Sequence, residues 1–375
     1  MHVGAGIRER FRAVTRFESV DAVPNFELNA WVQTYERWQS EGLSTADVPS
    51  REFQWGCPFF GIDWRDRCDV KLSLLPPFEE TVIEESPDYR VYRDSSGRVR
   101  KALKRGESQG YRLSMDEYIS FPVQTRVDFR ELQKRLDPHA PERLSPDYRQ
   151  KVDAWRNRTH ILTVGDNFGF YWNLREWMGT MNASSVFFDD PLLAHEMMEF
   201  SADFLIELLH PVLHEVELDY FSFAEDMAYK AGPLISPKIF REFLLQPYQR
   251  ATDFLRCHGV SSIWMDTDGN WEIMLPLFLE AGINCLWPLE QQAGMDPVHL
   301  RKEYGRDLVL SGGIDKRELA KGKREIETEL RAKLPCLLEQ GGYFPTLDHS
   351  VPPNVPLDNY RYYIELKQKM LKGEY

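Results

Sequence analysis

Through the second half of the chain, short apolar runs that stop at a carboxylate, an amide or a glycine alternate with longer segments of helical apolar spacing. ILTVGDN (161–167) precedes helical patterns near LREWMG and over 191–218, and YFSFAEDM (220–227) precedes ISPKIFREFLLQPYQRATDFLRCHG. SSIWMDTDG (261–269) leads into WEIMLPLFLEAG, NCLWPLE (284–290) into MDPVHLRKEYG, and LVLSGGID (308–315) into KRELAKGKREIETELRAKLPCLLEQGG. YFPTLDH (343–349) precedes a closing helix, LDNYRYYIELKQKMLKG. Successive strand-then-helix units predict a parallel sheet covered by helices. VPNFELN (23–29), after the helical RERFRAVTRF, supplies a further strand. The fold expected is α/β, a single (β/α)8 TIM barrel domain over residues 1–375. An open doubly wound sheet is the rival, but it would usually carry a Gly-rich phosphate turn, and no GxGxxG or P-loop pattern occurs.

One segment breaks the rhythm. In 78–105, FEETVIEESPDYRVYRDSSGRVRKALKR, DYRVYRD and VRKALK alternate around the turn SSGR, which predicts an inserted, exposed β-hairpin. Such an insertion either covers the barrel mouth or is a solvated hairpin with no role.

Composition narrows the partners. Hydrophobic residues make up 42% of the chain, enough for a large core, and the formal net charge is −13 without a basic tract. Nucleic acid and an anionic membrane are therefore poor partners, whereas a small molecule in a local pocket is not excluded. The five cysteines are scattered with no CxxC pair, against a zinc finger or thioredoxin chemistry. Their odd number, and an N-terminal stretch that soon turns polar, predict a cytoplasmic protein.

The strand ends carry the chemistry. Glu27, Asp166 with Asn167, Glu225 with Asp226, Asp266 with Asp268, Glu290, Asp315, and Asp348 with His349 all terminate predicted strands. In a barrel these ends converge on the face where active sites lie. Taken singly, each is more often a cap or turn residue, and Asp315 before Lys316 is a good N-cap candidate. DTDG does not fit an EF-hand, because the first and twelfth loop positions would be Trp264 and Leu275. Asp266 and Asp268 share a face if extended, and with His349 they would suit a divalent zinc, manganese or iron ion. The bland reading is an Asx turn and an N-cap.

Cationic candidates are fewer. Arg175 could grip an anionic group bidentately or pair with Glu176, and Lys230 and Lys316 carry the same ambiguity. Trp31, Trp172, Tyr229 and Trp287 would line a pocket or belong to the core. His210 and His214 are one helical turn apart, a spacing that binds metal, but their distance from the strand ends marks them as surface or packing residues. His258 reads as a C-terminal cap.

EDMAYKAGPLISPKIFREFLLQPY, MDTDGN, LVLSGGIDKRELAKG and GGYFPTLDHSVPPNVPLDNYRYYIE together resemble the uroporphyrinogen decarboxylase superfamily, especially its decarboxylase-like and corrinoid-dependent methyltransferase branches. The resemblance implies a (β/α)8 barrel. Porphyrinogen decarboxylases carry an arginine-rich MRQAGR motif where this chain has VPNFELNAW, with Asn25 and Glu27. An acidic group there would repel a polycarboxylate substrate. The methyltransferase branch binds zinc through a His-x-Cys pair and a later Cys, where this chain has Asp266-Thr267-Asp268 and His349. Harder oxygen ligands would activate a thiol poorly, which leaves a hydroxyl, ether or amine methyl donor open. The resemblance thus implies a metal-assisted methyltransferase, with zinc the leading ion, moving a methyl group between a small substrate and a corrinoid on a partner protein. Asp266, Asp268 and His349 would hold the metal, Glu225, Asp226 and Glu290 would do acid–base work, and Glu27, Asn167, Arg175 and Asp315 would bind substrate. A metal-free decarboxylase using Arg175 is the alternative, and a non-catalytic binding protein is a third class. A homodimer is compatible with either enzyme.

Overall fold

Strands of a parallel sheet are covered on both faces, so they read as apolar runs rather than alternating ones. The computed structural model describes residues 6–104, 107–108, 111–112, 116–164 and 167–374. Ile161–Val164 is buried at every position. Phe221–Ala224, Ile263–Asp266, Cys285–Trp287, Val309–Ser311 and Tyr343–Phe344 are buried or half-buried throughout. The last five form one parallel sheet in the reverse of their chain order, Tyr343–Phe344 at one edge and Phe221–Ala224 at the other. Its register sets Trp264 beside Ser222 and Cys285, and Asp266 beside Ala224 and Trp287.

Ile161–Val164 pairs in parallel with Arg65–Cys68, a strand the hydrophobic pattern does not single out. Single hydrogen bonds extend the line: the Asp219 amide donates to the Leu162 carbonyl at 2.8 Å and the Ala224 amide to the Phe168 carbonyl at 2.9 Å. Parallel bridges join Ala30 to Val351 and Ile314 to Leu347. The fold is α/β, with two parallel groups whose regular pairing does not by itself close the expected barrel.

The helices between strands start where side-chain caps and proline predict. Asp190 accepts from the Leu193 amide ahead of Pro191–Glu215, and Asp296 accepts from the Val298 amide ahead of Pro297–Tyr304. Helix Ile7–Thr15 closes one end of the sheet. Its Phe11 ring lies 5.2 Å from Phe344, 5.6 Å from Tyr220 and 6.2 Å from Trp264. Asp219 anchors that helix, because its carboxylate accepts from Arg8, Arg12 and Arg158 and from the Leu162 amide.

The expected hairpin exists but is part of something larger. Tyr89–Arg93 and Val99–Leu103 pair antiparallel, flanked by Thr81–Glu85 and Glu117–Ser120, in a four-stranded sheet. The sheet is tied to helix Phe170–Asp189 through the Arg98–Glu176 ion pair. That partner occupies Glu176, which sequence reasoning had offered to Arg175. Among the described residues, no helix is long and apolar enough to cross a membrane, and all five cysteines are free.

Candidate active site

A strand of period two sends alternate side chains to opposite faces. Along the central strands, Ser222, Ala224 and Asp226, and likewise Trp264, Asp266 and Asp268, fall on one face and line a single cavity of about 320 Å³. Asn167, Trp287 and His349 line it too, as do Arg65 and Trp55 from the first third of the chain. None of residues 78–104 does, so the inserted sheet forms no part of the lining among the described residues.

The DTDG turn is stitched to both neighbours. Thr267 donates its amide to the Trp287 carbonyl at 3.1 Å and accepts from the Met227 amide at 3.0 Å. The Gly269 amide donates to Glu290 at 2.9 Å. Gly269 has φ +82°, and a Cβ there would come within 2.7 Å of the Ala228 backbone, so only glycine lets the two loops approach. Glu290, expected to be an acid–base residue, thus fixes the position of the aspartate loop.

Asp226, Asp266 and Asp268 crowd one another. Burial first, then the charges of Asp226 and Asp268, raise the Asp266 carboxyl well above the ordinary carboxylate range. Burial, then Asp268, raises Asp226 as well, with Arg175 opposing. Asp226 also sits at φ +43°, a left-handed conformation that a non-glycine residue adopts at a cost of about 1 kcal/mol. The Arg175 guanidinium donates to the Asp226 carbonyl and holds that turn. Arg175 is not among the residues that line the cavity, and its contact there is with the backbone of the acidic loop.

His349 Nε2 meets Asp268 Oδ2 at 3.4 Å, and this partner, ahead of burial that opposes it, raises the imidazole pKa. His349 Nδ1 accepts from the Ser350 amide at 2.8 Å. A ring nitrogen that accepts carries no proton, so the neutral imidazole keeps its proton on Nε2, facing Asp268. A metal on Nε2 would require that proton to move to Nδ1 and the Ser350 contact to break. As placed, His349 offers a proton rather than a lone pair. The three aspartates offer oxygen donors whose mutual repulsion a divalent cation would relieve, although their carboxylate oxygens do not all lie within 4.8 Å of one another and would have to draw together to hold it.

Arg65 is the feature that sequence reasoning missed. It is 9% exposed and lines the cavity. Its guanidinium donates to the Gln54 carbonyl, approaches the Tyr220 hydroxyl at 3.4 Å and lies 4.6 Å from the Phe26 ring centroid. Among the described residues no carboxylate pairs with it. The stretch GIDWRDRCD gives little warning, because its strand carries three charged residues in four.

Other expected site residues turn away. Glu225 follows Asp226 in type but not in direction: its side chain is on the opposite face of the strand, fully buried. There it accepts from the Phe170 amide at 2.5 Å, the Trp172 amide at 2.8 Å and the Tyr248 hydroxyl, capping helix Phe170–Asp189. Burial pushes this carboxyl up to about 8 against those donors. Glu27 is buried against Lys367 and accepts from Tyr363 at 2.5 Å and from the Leu347 amide, so its charge is matched inside the protein and repels no ligand. Asp315 caps helix Lys316–Lys321 and is gripped by Arg317, which keeps its carboxyl below the usual range although burial pushes the other way. Asp348 is buried and accepts from the Gln291 and Lys316 amides. Asn167 is exposed at the cavity, while its neighbour Asp166 lies outside the described residues.

Comparison with known proteins follows the same lines. A search of curated proteins by sequence gave no match. The structure is similar over 99% of both chains to a methyltransferase from Methanosarcina mazei, with a TM-score of 0.58 and 13% sequence identity, a likeness of fold. The sequence model for uroporphyrinogen decarboxylase (URO-D) matches residues 174–370, more than half of the chain, and the protein belongs to that family.

Proposed function

We propose that the protein is a methyltransferase that passes a methyl group from a small, negatively charged substrate to a corrinoid on a partner protein. The observation that carries this reading is the two-ended cavity: Arg65, which pairs with no carboxylate among the described residues, and Asp226, Asp266 and Asp268 with His349 in the same lining. We read the two parallel groups as one (β/α)8 barrel, with 23–30 as the remaining strand. The Ala30–Val351 bridge, the Asp63 amide on the Asn25 carbonyl at 2.9 Å and the bond from Asp219 to Leu162 support that closure. The methyltransferase fold of the Methanosarcina protein is in keeping with it.

In this reading Arg65 binds the substrate's carboxylate and sets its orientation. Trp264, Trp287 and Tyr220 exclude water from one side of the cavity. A divalent ion held by Asp226, Asp266 and Asp268, zinc by the family's habit, would supply a Lewis acid at the substrate heteroatom. When the methyl–heteroatom bond breaks, its electron pair stays on the heteroatom, where the His349 Nε2–H donates a hydrogen bond and a water molecule supplies the neutralising proton. In this reading His349 serves as a hydrogen-bond donor rather than as the metal ligand expected from the sequence.

A second reading is a metal-free decarboxylase. The raised carboxyls of Asp226 and Asp266 favour it, because a protonated acid beside an anion-binding arginine is what a carbanion left by CO₂ requires. The test is anaerobic incubation with free cob(I)alamin and a panel of methyl ethers and N-methylamines, with and without a carboxylate, followed by absorbance. Methylation of the corrinoid only by carboxylate-bearing members, lost in Arg65→Met, is expected. Release of CO₂ without corrinoid methylation, unaffected by chelator, would establish the second reading instead.

A further inference from the structure

Three histidines meet at the ends of two adjacent helices. His210 and His214 are near the C-terminus of Pro191–Glu215, and His258 is the residue that ends Leu245–Cys257. The helices lie side by side in the same direction, since Arg250, eight residues before His258, pairs with Glu199 and Asp203 on the first helix. Each helix end leads into the beginning of a strand, Phe221–Ala224 or Ile263–Asp266, whereas the cavity lies past the ends of those strands. The cluster is therefore at the other end of the sheet from the acidic site.

Its geometry is that of a ligand set. One donor atom from each imidazole lies within 4.8 Å of the other two, the one such group of three or more metal-capable side chains among the described residues. His210 Nε2 and His214 Nε2 are 3.3 Å apart. Two nitrogens bound tetrahedrally to zinc at about 2.05 Å stand about 3.3 Å from each other. His258 is oriented as well: its Nδ1 meets the Phe254 carbonyl at 2.8 Å. A carbonyl only accepts, so Nδ1 holds the proton and Nε2 keeps a free lone pair, the carbonyl-backed arrangement common in metal-binding histidines. The Phe254 ring packs at 4.4 Å from His258 and 6.3 Å from His210, which restrains both rings.

We propose that His210, His214 and His258 bind one transition-metal ion, zinc or nickel, with water completing the shell, and that the ion clasps the two helix ends. An all-imidazole donor set selects these ions over magnesium and calcium, which take oxygen. The i, i+4 spacing seen in the sequence becomes a site because the fold delivers a third histidine from a separate helix.

The test is calorimetric titration of untagged, chelator-stripped protein with zinc chloride, comparing wild type, His214→Ala and His258→Gln, and the same pair in an Asp268→Ala background. The expected result is that either histidine change removes one equivalent of zinc in both backgrounds. Affinity at that equivalent should fall at least about 100-fold, beyond the loss of an outer-shell partner. Zinc should also raise the melting temperature of Asp268→Ala, and the rise should vanish in the histidine variants. Magnesium should give no heat at this site. Zinc binding of unchanged stoichiometry and affinity in His214→Ala, or no zinc bound by wild type, would overturn the proposal. The wild-type comparison holds even if Asp268→Ala folds poorly.

Discussion

Two side chains in the cavity lining, Arg65 and Asp266, carry the predictions at the scale of single residues. Arg65 is buried, lines the cavity and pairs with no carboxylate among the described residues, and a buried cation without an anion costs folding energy that a ligand can restore. Arg65→Met is expected to raise KM for a carboxylate-bearing substrate roughly 10- to 100-fold, the worth of a hydrogen bond to a charged group, with a smaller effect on kcat. Equal losses for charged and uncharged substrates would argue against an anion-binding role. Asp266 illustrates the opposite cost. Its folded-state pKa is raised above the unfolded value of about 3.9, so the folded chain retains a proton that the unfolded chain releases. Stability then declines as pH rises from about 4 through the folded-state pKa. Asp266→Asn should therefore melt higher than wild type at pH 8 in chelator, with the difference narrowing toward pH 4, while turnover is lost. A lower melting temperature at pH 8 would show that Asp266 is held by favourable partners and not by repulsion.

Helices and strands explain which residues were legible. The apolar runs and the carboxylates that end them were readable because parallel strands are covered on both faces and their C-terminal ends need polar caps. Direction was readable only where the register was applied. Asp266 and Asp268 share a face two residues apart, whereas Glu225 and Asp226 are adjacent and must diverge, one to a helix N-terminus and one to the cavity. Arg65–Cys68 was missed because its charged composition contradicts the apolar signature, and the three-histidine cluster because its members come from two helices. Glu27 was legible as a strand-end carboxylate but not as half of a buried ion pair, since Lys367 lies 340 residues away in sequence.

The anchor of the first helix gives a further prediction at this scale. Asp219 is buried and accepts from three arginines; burial raises its carboxyl, but Arg158 and Arg8 lower it further. A lowered folded-state pKa contributes stability above the unfolded value of about 3.9 that is lost as pH falls through the folded-state value. Asp219→Ala strands the buried Arg158 and should cost about 3–5 kcal/mol in urea unfolding at pH 7, with a smaller cost in strong acid. A cost below about 1 kcal/mol would mean that the helix is held by Phe11 packing alone.

At the scale of the whole molecule, the net charge of −13 sits oddly with a substrate expected to be anionic, until the distribution is considered. The acidic face of the cavity repels an anion unless a cation neutralises it, and in the proposed reading Arg65 would then orient what enters. Membership of the URO-D family is fixed by the C-terminal half, which supplies the aspartates and His349, while Arg65 comes from the part of the chain outside the family match. In the proposed reading the substrate group would be held by a residue outside the matched stretch. The three-histidine cluster and the ion proposed for the acidic site lie at opposite ends of the sheet, so bulk metal content alone is ambiguous.

The most direct measurement is zinc and manganese content by plasma mass spectrometry in untagged His214→Ala protein after metal supplementation, with Asp268→Ala and His349→Ala added in turn. The proposed site predicts close to one equivalent of a divalent ion in His214→Ala, lost with Asp268→Ala and kept with His349→Ala. No ion in His214→Ala under any supplementation would contradict the metal-assisted methyl transfer, and Asp226 and Asp266 would then be the proton donors of a decarboxylase.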